Sequence, residues 1–256
     1  MKQGQRLWTR EELIVAINLY CKIPFGRLHS RNPEIIQLST LIHRTPDAVA
    51  LKLVNFASFD PSLQARGIKG ASNVSKLDRE IWNEFYNNWN TLAFESELLL
   101  AQINHTTIEE LNHIDESVLP KTGITRDQMV RVRVNQSFFR KSILASYNNT
   151  CCITGLKQPE LLIASHIIPW SVDESNRLNP RNGLALNALH DKAFDVGYLT
   201  ITPEYFIHIS PLLLKDTHKT NVELFSKYHN KEITLPSRFL PDVNFLTYHN
   251  NERFKL

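Results

Sequence analysis

Residues 161–195 read LLIASHIIPWSVDESNRLNPRNGLALNALHDKAFD, and the spacing of three polar residues within them decides the fold of the C-terminal half. His166 closes an apolar, β-branched run that the pattern predicts as a strand. Asn182 opens a second short strand, Gly183–Leu186, and His190 falls on the helix expected to follow it. Taken singly, each has an ordinary reading: a His at a strand end is most simply a surface imidazole, and His190 a helix residue like any other. The order strand–His, Asn–strand, helix–His is what carries information.

With its flanks Arg131–Gly155 (RVRVNQSFFRKSILASYNNTCCITG) and Phe194–Gly197 (FDVG), this stretch resembles the HNH (ββα-metal) nucleases, and within them the bacterial restriction endonuclease type. The resemblance implies a ββα-metal domain, double-stranded DNA as partner, and a divalent metal, Mg²⁺ with Mn²⁺ as substitute. Hydrolysing a phosphodiester requires a water, a base to deprotonate it, and positive charge near the leaving oxygen. An imidazole titrating near pH 6.5 suits the base. By this resemblance His166 is the general base, Asn182 braces the loop that orients it, and His190, twenty-four positions on, supplies a metal ligand.

The chain departs from the family at Ser165, where many members place an Asp or His that binds the metal. A hydroxyl is a poor ligand for a hard cation beside a carboxylate. Ser165 is therefore expected to contribute to the metal site indirectly, and Asp191 and Asp195 are the nearest acids in sequence. In Cys151–Gly155 (CCITG), Thr154 stands where zinc-bearing relatives carry the second Cys of C-x-x-C-G, so no structural zinc is expected.

The remaining chain sets the frame. Its 256 residues allow one or two cores, and 42% hydrophobic with 21% charged residues is ordinary for a globular protein. No apolar run approaches the roughly 20 residues of a membrane span, and MKQGQRLWTREE lacks a signal-peptide apolar region. Three cysteines, two of them adjacent, imply no disulfide and fit a reducing cytoplasm. Residues 1–70 carry ten Lys or Arg against five acids, residues 71–120 two against nine, and the remainder seventeen against twelve. The two basic ends are thus the candidate phosphate-facing modules.

The first basic end predicts three helices. Thr9 and Glu12 form a capping box opening Arg10–Cys21, Asn32-Pro33 starts a second helix, and Thr45-Pro46-Asp47 starts a third that runs to Phe56. Such a trio resembles a Myb-like or helix-turn-helix fold, whose third helix enters the major groove. Lys52 and Asn55 are the expected readers there, with Arg44, the loop Arg27–Arg31 and Lys69, in the loop Ala65–Ser75 with Gly67 and Gly70, on phosphates. A helical scaffold or protein-docking domain is the other reading of this module. Helices over Lys76–Asn87 and Thr91–Gln102 follow, and residues 104–125, broken by Pro120 and Gly123, read as a linker.

The expected architecture is therefore α+β: a helical DNA-recognition domain over 1–103, a linker over 104–125, and a nuclease domain over 126–256. In the last, a helix over Gln136–Tyr147 leads into CCITG, and Arg177 and Arg181 lie between base and Asn on the loop expected to face the scissile strand. Trp170 either packs under that loop or touches DNA. Tyr198–Ile201 and Tyr205–Ile209 read as a hairpin about Thr202-Pro203-Glu204. One site per chain suggests a homodimer for a double-strand cut, and a companion methyltransferase or defence complex would lie outside this chain. Two other readings stay open: an HNH-fold DNA-binding protein without catalysis, which Ser165 favours, and a toxin-like nuclease acting on RNA or invading DNA.

Overall fold

Thr9 and Glu12 close the reciprocal cap that the sequence predicts, and α1 (Arg10–Lys22) starts there with its inner face fully buried. The structure is a computed structural model and describes residues 6–69, 71, 74–86, 88–120 and 122–256, with nothing said of the Val118 side chain. The N-terminal stretch before Arg6, and Gly70, lie outside the described residues. The chain divides into two compact units, 1–141 and 142–256. Among the described residues no helix is long and apolar enough to cross a membrane.

In the first unit α2 (Pro33–Leu41) and α3 (Pro46–Ala57) each begin with Pro at the first turn, after the side-chain caps Asn32 and Thr45. The short α4 (Pro61–Ala65) precedes α5 (Lys76–Tyr86) and α6 (Trp89–Ile103). α1 is the central element and packs against α2, α3, α5 and α6. Its Tyr20 meets Trp82 of α5 edge-on at 6.0 Å, and Trp82 stacks over Phe56 of α3 at 6.4 Å.

The trio forms, but its third helix does not offer the face expected of a DNA reader. α5 lies along α3 and brings Asp78, fully buried, against it. Lys52 Nζ donates to both Asp78 oxygens at 2.8 and 2.9 Å, and Asn55 Nδ2 donates to Oδ2 at 3.0 Å. Lys52 is 9% exposed and Asn55 3%, so neither reaches a base. Arg44 is likewise spent inside the unit. Its guanidinium donates to Glu12 and to the carbonyls of Arg6 and Leu7, over the Trp8 ring at 4.6 Å. α3 contains no other cation, and Leu51 is its large exposed apolar side chain. Lys69 is exposed.

Residues 104–125 are packed structure rather than a spacer. Thr107 and Glu110 cap a short α7 (Ile108–Leu111). Ile108, Ile114 and Leu119 join Phe94, Met129, Val130 and Val134 in one apolar cluster. The helix expected from Gln136 starts twelve residues earlier: α8 runs Ile124–Ser146 without a break.

The second unit is built on two antiparallel pairs. β1 (Leu162–His166) pairs with β2 (Gly183–Asn187), setting Ser165 opposite Leu184 and His166 opposite Gly183. α9 (Ala188–Asp195) follows β2 directly and packs on both strands. The hairpin expected next forms as β3 (Leu199–Ile201) and β4 (Ile207–Ile209). After α10 (Pro211–Leu214) and α11 (Lys219–Leu224), the chain ends in α12 (Val243–Glu252), packed on β3.

A buried carboxylate with a buried ammonium partner is costly to orphan. Asp78→Ala should therefore lower the unfolding free energy by about 3–5 kcal/mol, read from urea denaturation. Loss of less than about 1 kcal/mol would contradict the buried pairing.

Candidate active site

The β1–β2 pair holds His166 at its end, and the loop between the strands is pinned by the fully buried Asn182. Asn182 Oδ1 accepts from the Ile168 amide at 2.8 Å, and Nδ2 donates to the carbonyls of Ile168 at 3.1 Å and Asn176 at 3.2 Å. Its own carbonyl accepts from the Ile167 amide at 3.1 Å. A short polar side chain thus satisfies backbone groups that no ladder reaches, which a buried loop requires.

His166 is oriented by the same loop. Its Nε2 lies 2.8 Å from the Arg177 carbonyl, an acceptor only, so Nε2 carries the proton and Nδ1 the lone pair. Arg177 is held in turn: Nε donates to the Trp170 carbonyl at 2.7 Å and Nη2 to Glu174 at 2.8 Å. The Trp170 ring stands edge-on to His166 at 5.5 Å and lies under the Arg177 guanidinium at 5.3 Å. Burial pushes the His166 pKa below its ordinary value, against the Arg177 carbonyl and the Asp195 charge, which favour the cation. The ring is accordingly neutral at pH 7, the form a base needs.

Beside it stand two carboxylates. Asp191 and Asp195 share one face of α9 at i, i+4 spacing. Asp195 acts electrostatically on both His166 and Asp191. The Asp191 carboxyl is raised above the ordinary carboxylate value by burial, an effect that Ser165 opposes and Asp195 adds to. Ser165 is 2% exposed, and its hydroxyl faces the Asp191 carboxyl. Two mutually repelling carboxylates beside a buried hydroxyl are a setting that a cation would relieve.

The structure moves His190 out of this site. It precedes Asp191 by one residue, about 100° around the helix, and is buried. Nε2 donates to the Leu224 carbonyl at 2.8 Å, and Nδ1 accepts from Asn187 Nδ2 at 2.8 Å. The ring is flanked edge-on by Phe225 and Tyr228, each at 5.5 Å. Both His190 nitrogens, expected from the sequence to face a metal, are here engaged by Leu224 and Asn187. Ser165, buried on β1, stands beside Asp191.

His190 belongs to a second cluster. Asn187 Nδ2 also faces Thr154 Oγ1 at 3.4 Å and Cys151 Sγ at 3.9 Å. Burial raises the Cys151 thiol, but hydrogen-bonding with His190 and Thr154 and the Thr154 and Ile153 amides outweighs it and brings its pKa to about 7. Cys152 is pushed well above its ordinary value by burial, and Cys21, Cys151 and Cys152 are unbridged. Among the described residues, no three His, Cys, Asp or Glu side chains are gathered as a ready-made metal site.

Of the loop arginines, Arg177 is tied as above, and Arg181 pairs with Asp242 at 2.8 Å while remaining 38% exposed at its side chain. Sequence reading named Asp191 and Asp195 only as the nearest acids. The signal that singles them out is their i, i+4 spacing, which places both on one helix face.

Residues 151–202 match the family model described as HNH endonuclease. No curated protein matches the chain. The matched segment holds Ser165, His166, Asn182, Asp191 and Asp195 of the site, and Cys151 and His190 of the second cluster.

Two titrations check this geometry. The His166 ring should titrate below 6.5 by NMR, and Asp195→Asn should lower it further, since it removes a charge that stabilises the imidazolium. One thiol should ionise near pH 7 by ultraviolet thiolate absorbance and move up towards 9.0 in His190→Gln. A His166 midpoint above 6.5 would contradict the burial described.

Proposed function

We propose that this chain, whose residues 151–202 carry the HNH endonuclease match, is a metal-dependent endonuclease that hydrolyses phosphodiester bonds of double-stranded DNA in a restriction or defence role in the cytoplasm. The observation that carries the reading is the neutral His166, its Nε2–H given to the Arg177 carbonyl, set against the acidic face of α9.

In this mechanism the Nδ1 lone pair of His166 takes the proton of the attacking water, and the Arg177 carbonyl stabilises the imidazolium through Nε2–H. Asn182 keeps the loop closed so that the ring cannot turn away. Asp191 and Asp195 would hold a divalent cation, with the Ser165 hydroxyl alongside; carboxylate oxygens suit Mg²⁺ or Mn²⁺. Such an ion supplies positive charge opposite the charge developing on the phosphate and leaving oxygen. Arg181, partly exposed, is the phosphate contact on this loop, and Arg177 acts through its backbone on the base.

The N-terminal unit contributes backbone contacts rather than base reading in this proposal. Arg27, Arg31 and Lys69 are among its exposed cations, whereas Lys52, Asn55 and Arg44 are engaged internally. A double-strand cut by one site per chain calls for a homodimer on DNA.

Plasmid cleavage with Mg²⁺, Mn²⁺ or EDTA tests the reading. Metal-dependent cutting is expected, reduced about 10²–10⁴-fold in His166→Ala. Asp191→Asn should raise the metal concentration needed for half-maximal rate. His190→Gln should leave that concentration unchanged while lowering thermal stability. Wild-type protein that shifts DNA yet cuts none under any metal would replace this reading with a DNA-binding protein lacking catalysis.

A further inference from the structure

Resting on the nuclease reading, we infer that α12 is a positioning element for the acidic face of α9: His249 and Arg253 hold the last turn of α9 and so set where Asp195 stands relative to His166 and Asp191. α9 is only eight residues long, and the final carbonyls of a helix have no complete set of partners within it. Here they are met by residues some fifty positions further on. The Phe194 carbonyl accepts from His249 Nε2 at 3.1 Å, the Asp195 carbonyl from Arg253 Nη2 at 2.8 Å, and the Gly197 carbonyl from the Lys255 amide at 2.9 Å.

Side-chain packing reinforces these bonds. The His249 ring lies flat on the Phe194 ring, centroids 3.7 Å apart and planes 10° from parallel. Its Nδ1 accepts from Thr200 Oγ1 at 2.8 Å, which fixes the ring between α9 and β3. Burial brings the His249 pKa to about 4, so the neutral form that makes both bonds prevails at ordinary pH. Gly197, at φ +80°, completes the fit: a Cβ there would collide with the Arg253 carbonyl oxygen. The contact is too close for any other residue.

Asp191 lies in the first turns, near the Asn187 cap, whereas Asp195 is exposed at the far end. The Gly197 turn closes that end locally, with the Tyr198 amide donating to the Ala193 carbonyl at 2.8 Å and the Gly197 amide to the Phe194 carbonyl at 3.0 Å; α12 adds a second bond to the Phe194 carbonyl and one to the Asp195 carbonyl, and through them sets the separation of the two carboxylates. Outer partners that orient metal-holding residues typically matter about 10–100-fold in metal affinity or activity.

The test uses the full chain and three variants. Arg253→Ala removes the bond to Asp195 from an exposed position. His249→Phe keeps the ring stack and loses both hydrogen bonds, and His249→Gln restores a donor to the Phe194 carbonyl. Mn²⁺ affinity is measured by calorimetry, DNA cleavage as kcat and KM, and folding by circular dichroism. Folded Arg253→Ala and His249→Phe proteins with Mn²⁺ affinity and kcat each reduced about 10-fold or more, KM for DNA retained, and partial rescue in His249→Gln support the inference. Folded variants with native Mn²⁺ affinity and kcat, differing in melting temperature alone, overturn it and leave the nuclease reading intact. Should the wild type itself bind no Mn²⁺ and cut no DNA, the nuclease reading fails and this inference falls with it.

Discussion

A single buried amide organises the C-terminal half of this chain. Asn182 has two donors and an acceptor on one short side chain, and it spends them on backbone groups of the loop that joins β1 to β2. Without it, the Ile168 amide and carbonyl would be buried unpaired, at about 1–3 kcal/mol each. The consequence runs outward. A closed loop brings the Arg177 carbonyl to His166, the carbonyl selects the tautomer, and the tautomer leaves the lone pair on Nδ1. The orientation of the His166 ring is thus a property of backbone hydrogen bonding several residues away.

α9 presents two chemistries on two faces. His190 and Phe194 turn inward: His190 joins Asn187, Thr154 and Cys151 in a hydrogen-bonded knot, and Phe194 stacks on His249. Asp191 and Asp195 turn to the base and Ser165. The inward knot has a soft thiol and an imidazole, and the outward face hard oxygens, so the two differ in the cations they would favour. The helix is anchored at its start by the Asn187 cap and at its end by α12, which is how so short an element can hold two carboxylates in register.

The N-terminal unit shows how charge count and accessible charge part company. Its cation excess is real in sequence, yet Arg44 is folded against Glu12 and Lys52 against Asp78. Burying a lysine demands a partner, and the partner arrives from α5, an element with no local relation to α3. The helices that carry the unit's acids are therefore the ones that neutralise its expected reading face. Likewise residues 104–125, polar and interrupted by Pro120 and Gly123, contribute Ile108, Ile114 and Leu119 to a shared apolar cluster.

Caps, turns and strand order were legible in the sequence because they depend on residues within a few positions of one another: Thr9 with Glu12, Asn32 with Pro33, Thr45 with Pro46, and the β3–β4 hairpin. His166 and Asn182 were legible for the same reason, as each sits at the boundary of a locally coded strand. What tertiary structure decided was which side of each helix meets what. His190 and Asp191 are neighbours in sequence, and a rotation of about 100° separates a structural imidazole from a carboxylate of the acidic face. That rotation is set by packing against Leu224, Phe225 and Tyr228, thirty-four residues and more downstream of His190. The burial of Lys52 and Asn55 depends in the same way on Asp78, and the placement of Asp195 on His249 and Arg253. Local sequence determines where a helix begins and ends; its rotational phase is chosen by distant residues that only the folded chain brings into contact.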